Sequence, residues 1–388
     1  MMLYQDQNIR NLFCYLMLIC IFFQYLQLDN TEYKTGSLYV TVIFAWGLVF
    51  SSIKSVGAKI GSAVILLVPI LLLHSMLASG MIRNTATYLS MVVPLFLVGL
   101  IFPPQITHRL LEAVCQHVLV FYVFIYSLPM DLGVDYSYGY SRLQGFLSEP
   151  SALALPVAIL GLAAVRRKSI FSLALVATVT YLAKSPTVMV ILATCLLLLV
   201  LIRINFLAIL LSAFSALLLL PYTYVRSQFL TILISLVEML RDMGMPLYRV
   251  QQGLLFVQSA GEVGRNTRFD NNFFESGYFS YWGHGLNNFF EEDLRDWNFH
   301  LELMYGVGGI GWGLCIVWIV TVLARAGRRN DLQWLFLVTL SVFVYVSLNS
   351  AMGLAFHGVF FLMLGACMVA TSRDPSSKSS GGLKAPGL

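Results

Sequence analysis

Long apolar runs separated by single charges or short polar breaks set the pattern of this chain. Read in windows of about 20 residues, the length needed to cross a bilayer as a helix, they predict twelve spans. These lie near Leu12–Leu28, Gly36–Ile53, Ile60–Ser79, Ala86–Phe102, Ala113–Met130, Pro150–Val165, Ser169–Ala183, Thr187–Ile202, Ile204–Leu220, Leu303–Leu323, Leu332–Leu348 and Leu354–Thr371. One long polar interruption, residues 221–300, stands between the ninth and tenth. The pattern therefore predicts an all-α polytopic membrane protein of about twelve transmembrane helices. Residues 1–371 form a single transmembrane domain with 221–300 as a large loop containing short helices. The Ser/Gly/Pro/Lys-rich tail, 372–388, has a disordered composition.

Composition agrees: 58% of the 388 residues are hydrophobic, 11% are charged and the mean hydropathy is +0.79, whereas soluble domains carry roughly 25% charged residues. Orientation follows from the basic residues between spans. With the N-terminus inside, fourteen fall on the inner side: Arg10, Lys54, Lys59, Arg109, Arg166, Arg167, Lys168, Arg203, Arg325, Arg328, Arg329, Arg373, Lys378 and Lys384. Only Lys34, Arg83, Arg142 and Lys184 lie in short outer loops. The excess predicts both termini inside, the long loop outside and the tail cytoplasmic. It also explains the net charge of +5 with no nucleic-acid partner. The N-terminus shows no short apolar core followed by a small-residue cleavage site, so the first span is expected to be retained.

The six cysteines, Cys14, Cys20, Cys115, Cys195, Cys315 and Cys367, fall within predicted spans and never pair as C-x-x-C, so they read as small apolar fillers. No metal site is expected: the acidic cluster Glu292, Asp293 and Asp296 lacks His or Cys at ligand spacing. Within the long loop, Arg226–Asp242 carries apolar residues at helical spacing, as an interfacial helix would. The stretch Gly261–His300 is dense in polar and aromatic residues, a composition that argues against disorder.

Candidate chemistry centres on Arg142-Leu143-Gln144-Gly145-Phe146-Leu147-Ser148-Glu149-Pro150, where a cation, an acid and turn-forming residues abut an apolar run. The motif Arg142-x-x-Gly145 with Pro150 resembles the outer-loop motif of the O-antigen polymerase and ligase superfamily. Tyr281-Trp282-Gly283-His284-Gly285-Leu286-Asn287-Asn288-Phe289 is similar to the family's G-x-G-x-x-x-F segment. Asn298-Phe299-His300-Leu301-Glu302-Leu303-Met304-Tyr305-Gly306-Val307-Gly308-Gly309-Ile310-Gly311 resembles its N-x-x-L-x-x-L-x-x-x-G-x-x-G stretch. Arg265 and Arg268 are placed like the Arg that precedes the glycine pair. Order and topology agree over roughly residues 140–320. Trp297 stands before Asn298, where family ligases carry His, and His300 follows two residues after it. The loop after the seventh span reads Ala183-Lys184-Ser185-Pro186-Thr187 where Ser-Arg is common, so its cation is Lys184. Glu149-Pro150 looks more like the polymerase and exopolysaccharide branch.

The resemblance implies metal-independent, inverting polymerisation of undecaprenyl-pyrophosphate-linked repeat units at the periplasmic face of the bacterial inner membrane, with no cofactor. Donor and acceptor are lipid-linked glycans, and membrane lipids and a chain-length regulator protein are the further partners. Charge grows on the pyrophosphate as the glycosidic bond breaks, so preorganised cations stabilise the transition state. Arg142, Arg265 and Arg268 suit that role through the planar guanidinium fork, with Lys184 as a point charge. His300 and Glu149 are the candidate catalytic residues, a base being needed for the attacking hydroxyl. His284 and Glu302 are alternatives. Each residue also has a plainer reading: Arg142 and Lys184 as interfacial anchors, Arg265 and Arg268 as loop ion pairs, His300 as a hydrogen-bonded structural histidine.

Two other functions share much of this pattern. A ligase would move finished glycan to lipid A-core with the same donor chemistry. A transporter or flippase is the reading of another class. Against it stand the absence of a repeat between residues 1–202 and 203–371 and the absence of Asp or Glu inside any predicted span.

Overall fold

The computed structural model describes residues 2–28, 31–51, 70–71, 73, 83–128, 132–136, 141–147, 150–201, 231–232, 234–239, 279–285, 299–348 and 354–372. These are mostly helical. In chain order they form α1 (Met2–Phe22), a hairpin of β1 (Tyr25–Leu28) and β2 (Thr31–Lys34), α2 (Ser37–Ser51), α3 (Arg83–Ile101) and α4 (Pro104–Tyr126). Next come β3 (Val134–Asp135), β4 (Arg142–Leu143), a 3-10 turn over Pro150–Leu153 and α5 (Ala154–Arg167). Then follow α6 (Ile170–Ala183), α7 (Pro186–Leu201), α8 (Phe299–Gly327), α9 (Gln333–Leu348) and α10 (Leu354–Ser372). Among the described residues three helices are long and apolar enough to cross a membrane: Ile106–Tyr126, Pro150–Arg167 and Leu303–Gly327. The other apolar helices are shorter.

Local signals explain most boundaries. Pro104 opens α4 immediately after Pro103, where a missing N–H is harmless. Ser169 caps α6 by accepting from the Ser172 amide. Lys168 and Lys184 end α5 and α6 in the left-handed conformation, at φ 53° and 45°. Two predicted spans shift. The first stops at Phe22, because Tyr25–Leu28 leaves the helix to pair antiparallel with Thr31–Lys34. The fifth begins nine residues earlier than hydropathy suggests, at Pro104, and so takes in His108, Arg109 and Glu112. Glu112 is therefore a helical, buried carboxylate within a candidate span, which corrects the expectation that no acid lies there. Hydropathy misses this turn because Glu112 finds its partners, Arg167 and Trp334, on other helices, and His108 bonds the Pro104 carbonyl of its own helix.

The bundle is closed by helix-to-helix packing of apolar faces. α3 and α10 approach backbone to backbone: a Cβ on Gly99 would overlap the Leu362 carbonyl, and one on Gly365 would lie 2.6 Å from the Phe96 carbonyl oxygen. Small residues permit that approach, as in membrane helix pairs generally. Tyr15 and His117 hydrogen-bond between α1 and α4 at 2.7 Å.

Polar contacts sort the helix termini into two ends. At one, Arg10 of α1 stands over Phe102 at the foot of α3, Arg167 of α5 pairs with Glu112 of α4, and Arg329 donates to the Ala370 carbonyl of α10 at 2.8 Å. At the other, Tyr122 of α4 donates to the Phe22 carbonyl, Phe22 meets Phe356 of α10, and Phe356 meets Tyr345 of α9.

Candidate functional site

The second of these ends holds the sequence-predicted residues that the structure describes. Arg142 lies on β4, which pairs antiparallel with β3 so that Arg142 faces Asp135. Its Nε donates to Asp135 Oδ2 at 2.9 Å and a second guanidinium nitrogen to the same oxygen. The pair is largely enclosed, with side chains 12% and 10% exposed.

Gly145 makes this turn possible. It adopts φ +69°, and a Cβ there would overlap the Tyr122 ring. Its amide and that of Gln144 both donate to the Gly133 carbonyl at 2.9 Å. The chain then sends Phe146 into a cluster with Phe23, Phe121 and Tyr122. The glycine three residues after Arg142 thus fixes the loop to the bundle, leaving the guanidinium at its mouth.

Lys184 arrives from the end of α6. Its ammonium donates to the Ser141 carbonyl at 3.0 Å, and the Ser141 hydroxyl accepts from Tyr126 at 3.1 Å. Two segments 43 residues apart therefore bring two cations and one carboxylate to one place. Both cations are held by protein partners, Arg142 by Asp135 and Lys184 by the Ser141 carbonyl.

His300 lies elsewhere at this end, fully buried. Trp312 Nε1 donates to its Nδ1 at 3.2 Å, and its Nε2 meets Ser347 Oγ at 3.0 Å. Indole N–H is only a donor, so Nδ1 accepts, the ring is neutral, and Nε2–H donates to Ser347. Both nitrogens are engaged within the protein. In a straight helix residues 300 and 312 would stand about 18 Å apart. They meet because α8 breaks at Gly308, whose backbone is non-helical at φ 78°, ψ 170°.

The break has a partner. Residues 279–285 run alongside it: the Gly309 amide donates to the Ser280 carbonyl at 2.9 Å, and the amides of His284 and Gly285 donate to the carbonyls of Tyr305 and Gly306 at 2.7 and 2.9 Å. A Cβ on either Gly283 or Gly308 would overlap the other segment's backbone. The two glycine-bearing motifs of the sequence thus pack directly on one another. Irregular backbone beside a membrane helix needs such internal hydrogen bonds. His284 stacks on Tyr305 at 4.6 Å between centroids, while Tyr281 and Trp282 are exposed.

Against known proteins the chain finds no match among family models, curated proteins or solved structures. Glu149, Arg265 and Arg268 lie outside the described residues. Asp135, Ser141, Tyr126, Trp312 and Ser347 were not singled out from sequence. Asp135 had a signal: Gly133 and Gly145 bracket two residues of opposite charge at hairpin spacing. Trp312 and Ser347 had none, since their role depends on the break at Gly308. Among the described residues no His, Cys, Asp or Glu group could hold a metal ion.

Proposed function

We propose that the protein is a Wzy-type polysaccharide polymerase. It joins undecaprenyl-pyrophosphate-linked repeat units at the periplasmic face of the bacterial inner membrane, by metal-independent inverting glycosyl transfer. The observation that carries this reading is the Arg142–Asp135–Lys184 cluster, built on the Arg142-x-x-Gly145 turn at the end of the bundle away from the arginine-rich end. The acceptor hydroxyl attacks the anomeric carbon of the donor, the bond to the lipid pyrophosphate breaks, and the hydroxyl proton passes to a base. Arg142, with Lys184 and the loop arginines Arg265 and Arg268, stabilises the departing pyrophosphate. His300 or Glu149 takes the proton; His300 acts after the Trp312 bond opens, which frees Nδ1.

The twelve-span, both-termini-inside topology rests on the hydropathy pattern and on the excess of basic residues in the inner segments. The arginine-rich end is then cytoplasmic by the positive-inside rule.

The deciding experiment is a deletion strain in which the glycans on the lipid carrier are sized. Single repeat units are expected. Full-length undelivered chains would instead identify a ligase, and unchanged glycans would sink both readings.

A further inference from the structure

At the arginine-rich end the helices form an open cavity of about 430 Å³ lined by His108, Arg109, Arg166 and Arg167. Its size falls within the roughly 300–1,000 Å³ of small-molecule sites. The lining comes from the second turn of α4 and the last turn of α5. The acid beside it is Glu112, nearly fully buried, which is taken by Arg167 and by the Trp334 indole N–H at 2.5 Å. Arg166 stacks over the Trp334 ring at 4.8 Å. Arg109 and Arg166 have no carboxylate salt bridge among the described residues. His108 uses Nδ1 to donate to the Pro104 carbonyl at 2.9 Å.

Three guanidiniums around one concavity repel one another, and one buried carboxylate offsets only one of them. Scattered interfacial arginines need no cavity; convergent ones beside an aromatic ring and a buried carboxylate form a preorganised fork for tetrahedral oxyanions. We propose that this cavity is a phosphate-binding site, taking a phosphate mono- or diester at the end of the bundle away from Arg142. The site does not depend on the glycosyl-transfer reading.

Its phosphate could be borne by a lipid headgroup or by a soluble molecule, and two arms separate these. In the first, the full chain is placed in nanodiscs of phosphatidylcholine with phosphatidylglycerol, and retained lipid is identified by native mass spectrometry. In the second, inorganic phosphate and pyrophosphate are titrated onto the chain in phosphatidylcholine alone. Preferential phosphatidylglycerol retention assigns a headgroup; saturable binding in the second arm assigns a soluble phosphate. In whichever arm binds, Arg109→Gln should weaken affinity about tenfold and Arg109→Gln with Arg166→Gln by about a hundredfold, as loss of charge-assisted hydrogen bonds implies. Arg109 is exposed, so its substitution should leave the melting temperature unchanged. Arg325→Gln with Arg328→Gln removes equal charge from the same end outside the cavity and should leave binding intact. Equal weakening by both pairs would mean diffuse surface charge and overturn the site, as would absence of binding in both arms.

Discussion

The two ends of the bundle both gather arginine, but they handle it differently. At the Lys184 end, Arg142 is held on a short strand by an acid on the paired strand. At the other end the acid comes from inside the bundle: Glu112 is 1% exposed while its partner Arg167 is half exposed. The first arrangement presents Arg142 from a short hairpin, against its partner acid. The second roots a cation in the core and so also ties α4, α5 and α9 together. The same residue type thus serves presentation at one end and anchorage at the other.

The largest effect should come from breaking the first arrangement. If the proposed polymerase reading holds, Arg142→Ala lowers polymerisation about a hundredfold, some 3 kcal/mol of lost transition-state stabilisation. Arg142→Lys should fail nearly as badly because it loses the fork that binds two oxygens. Full activity of Arg142→Ala at normal expression would remove it from the site.

The second arrangement predicts an asymmetry in stability. Arg167→Ala leaves a buried carboxylate without its cation and should destabilise by about 2–3 kcal/mol. Glu112→Gln leaves Arg167 able to return to water and keeps a group that accepts from Trp334, so it should lose only about 1 kcal/mol. Thermal unfolding in detergent measures both; equal losses would show that the pair is a surface bridge.

A smaller effect is expected at His300. Trp312→Phe removes the indole donor, lowering stability by about 1 kcal/mol and freeing Nδ1. If His300 is the base, turnover should hold or rise in Trp312→Phe, whereas His300→Gln should be inserted and inactive. Near wild-type turnover by His300→Gln would shift the role to Glu149 or Glu302.

Much of the fold was legible because hydropathy reports which surfaces avoid water. Most described helices lie within a few residues of the predicted spans. The exceptions have two causes. Hydropathy saw polar residues at His108, Arg109 and Glu112 and ended the span, but the partners of Glu112, Arg167 and Trp334, lie 55 and 222 residues away. The hairpin at Tyr25–Leu28 was hidden because its strand continues the apolar run. In the candidate site, Arg142 and Lys184 could be picked out as cations in short outer loops, while their meeting at Ser141 is a product of packing. The burial of His300 was not legible, since it requires the bend at Gly308 and the Trp312 side chain beyond it.

Lys184 carries a consequence for engineering. Its backbone sits in a region where a side chain is disfavoured by about 1 kcal/mol and glycine is not. Lys168 sits in the same region at the opposite end. Lys→Gly should therefore raise the melting temperature at both positions by a similar amount. Only at Lys184, whose ammonium reaches Ser141 beside Arg142, should the gain come with slower turnover. Thermostability and activity are thus opposed through one torsion angle at Lys184 and independent at Lys168, so a screen for heat-resistant variants would enrich both glycines, and a following screen for product would retain only the one at position 168.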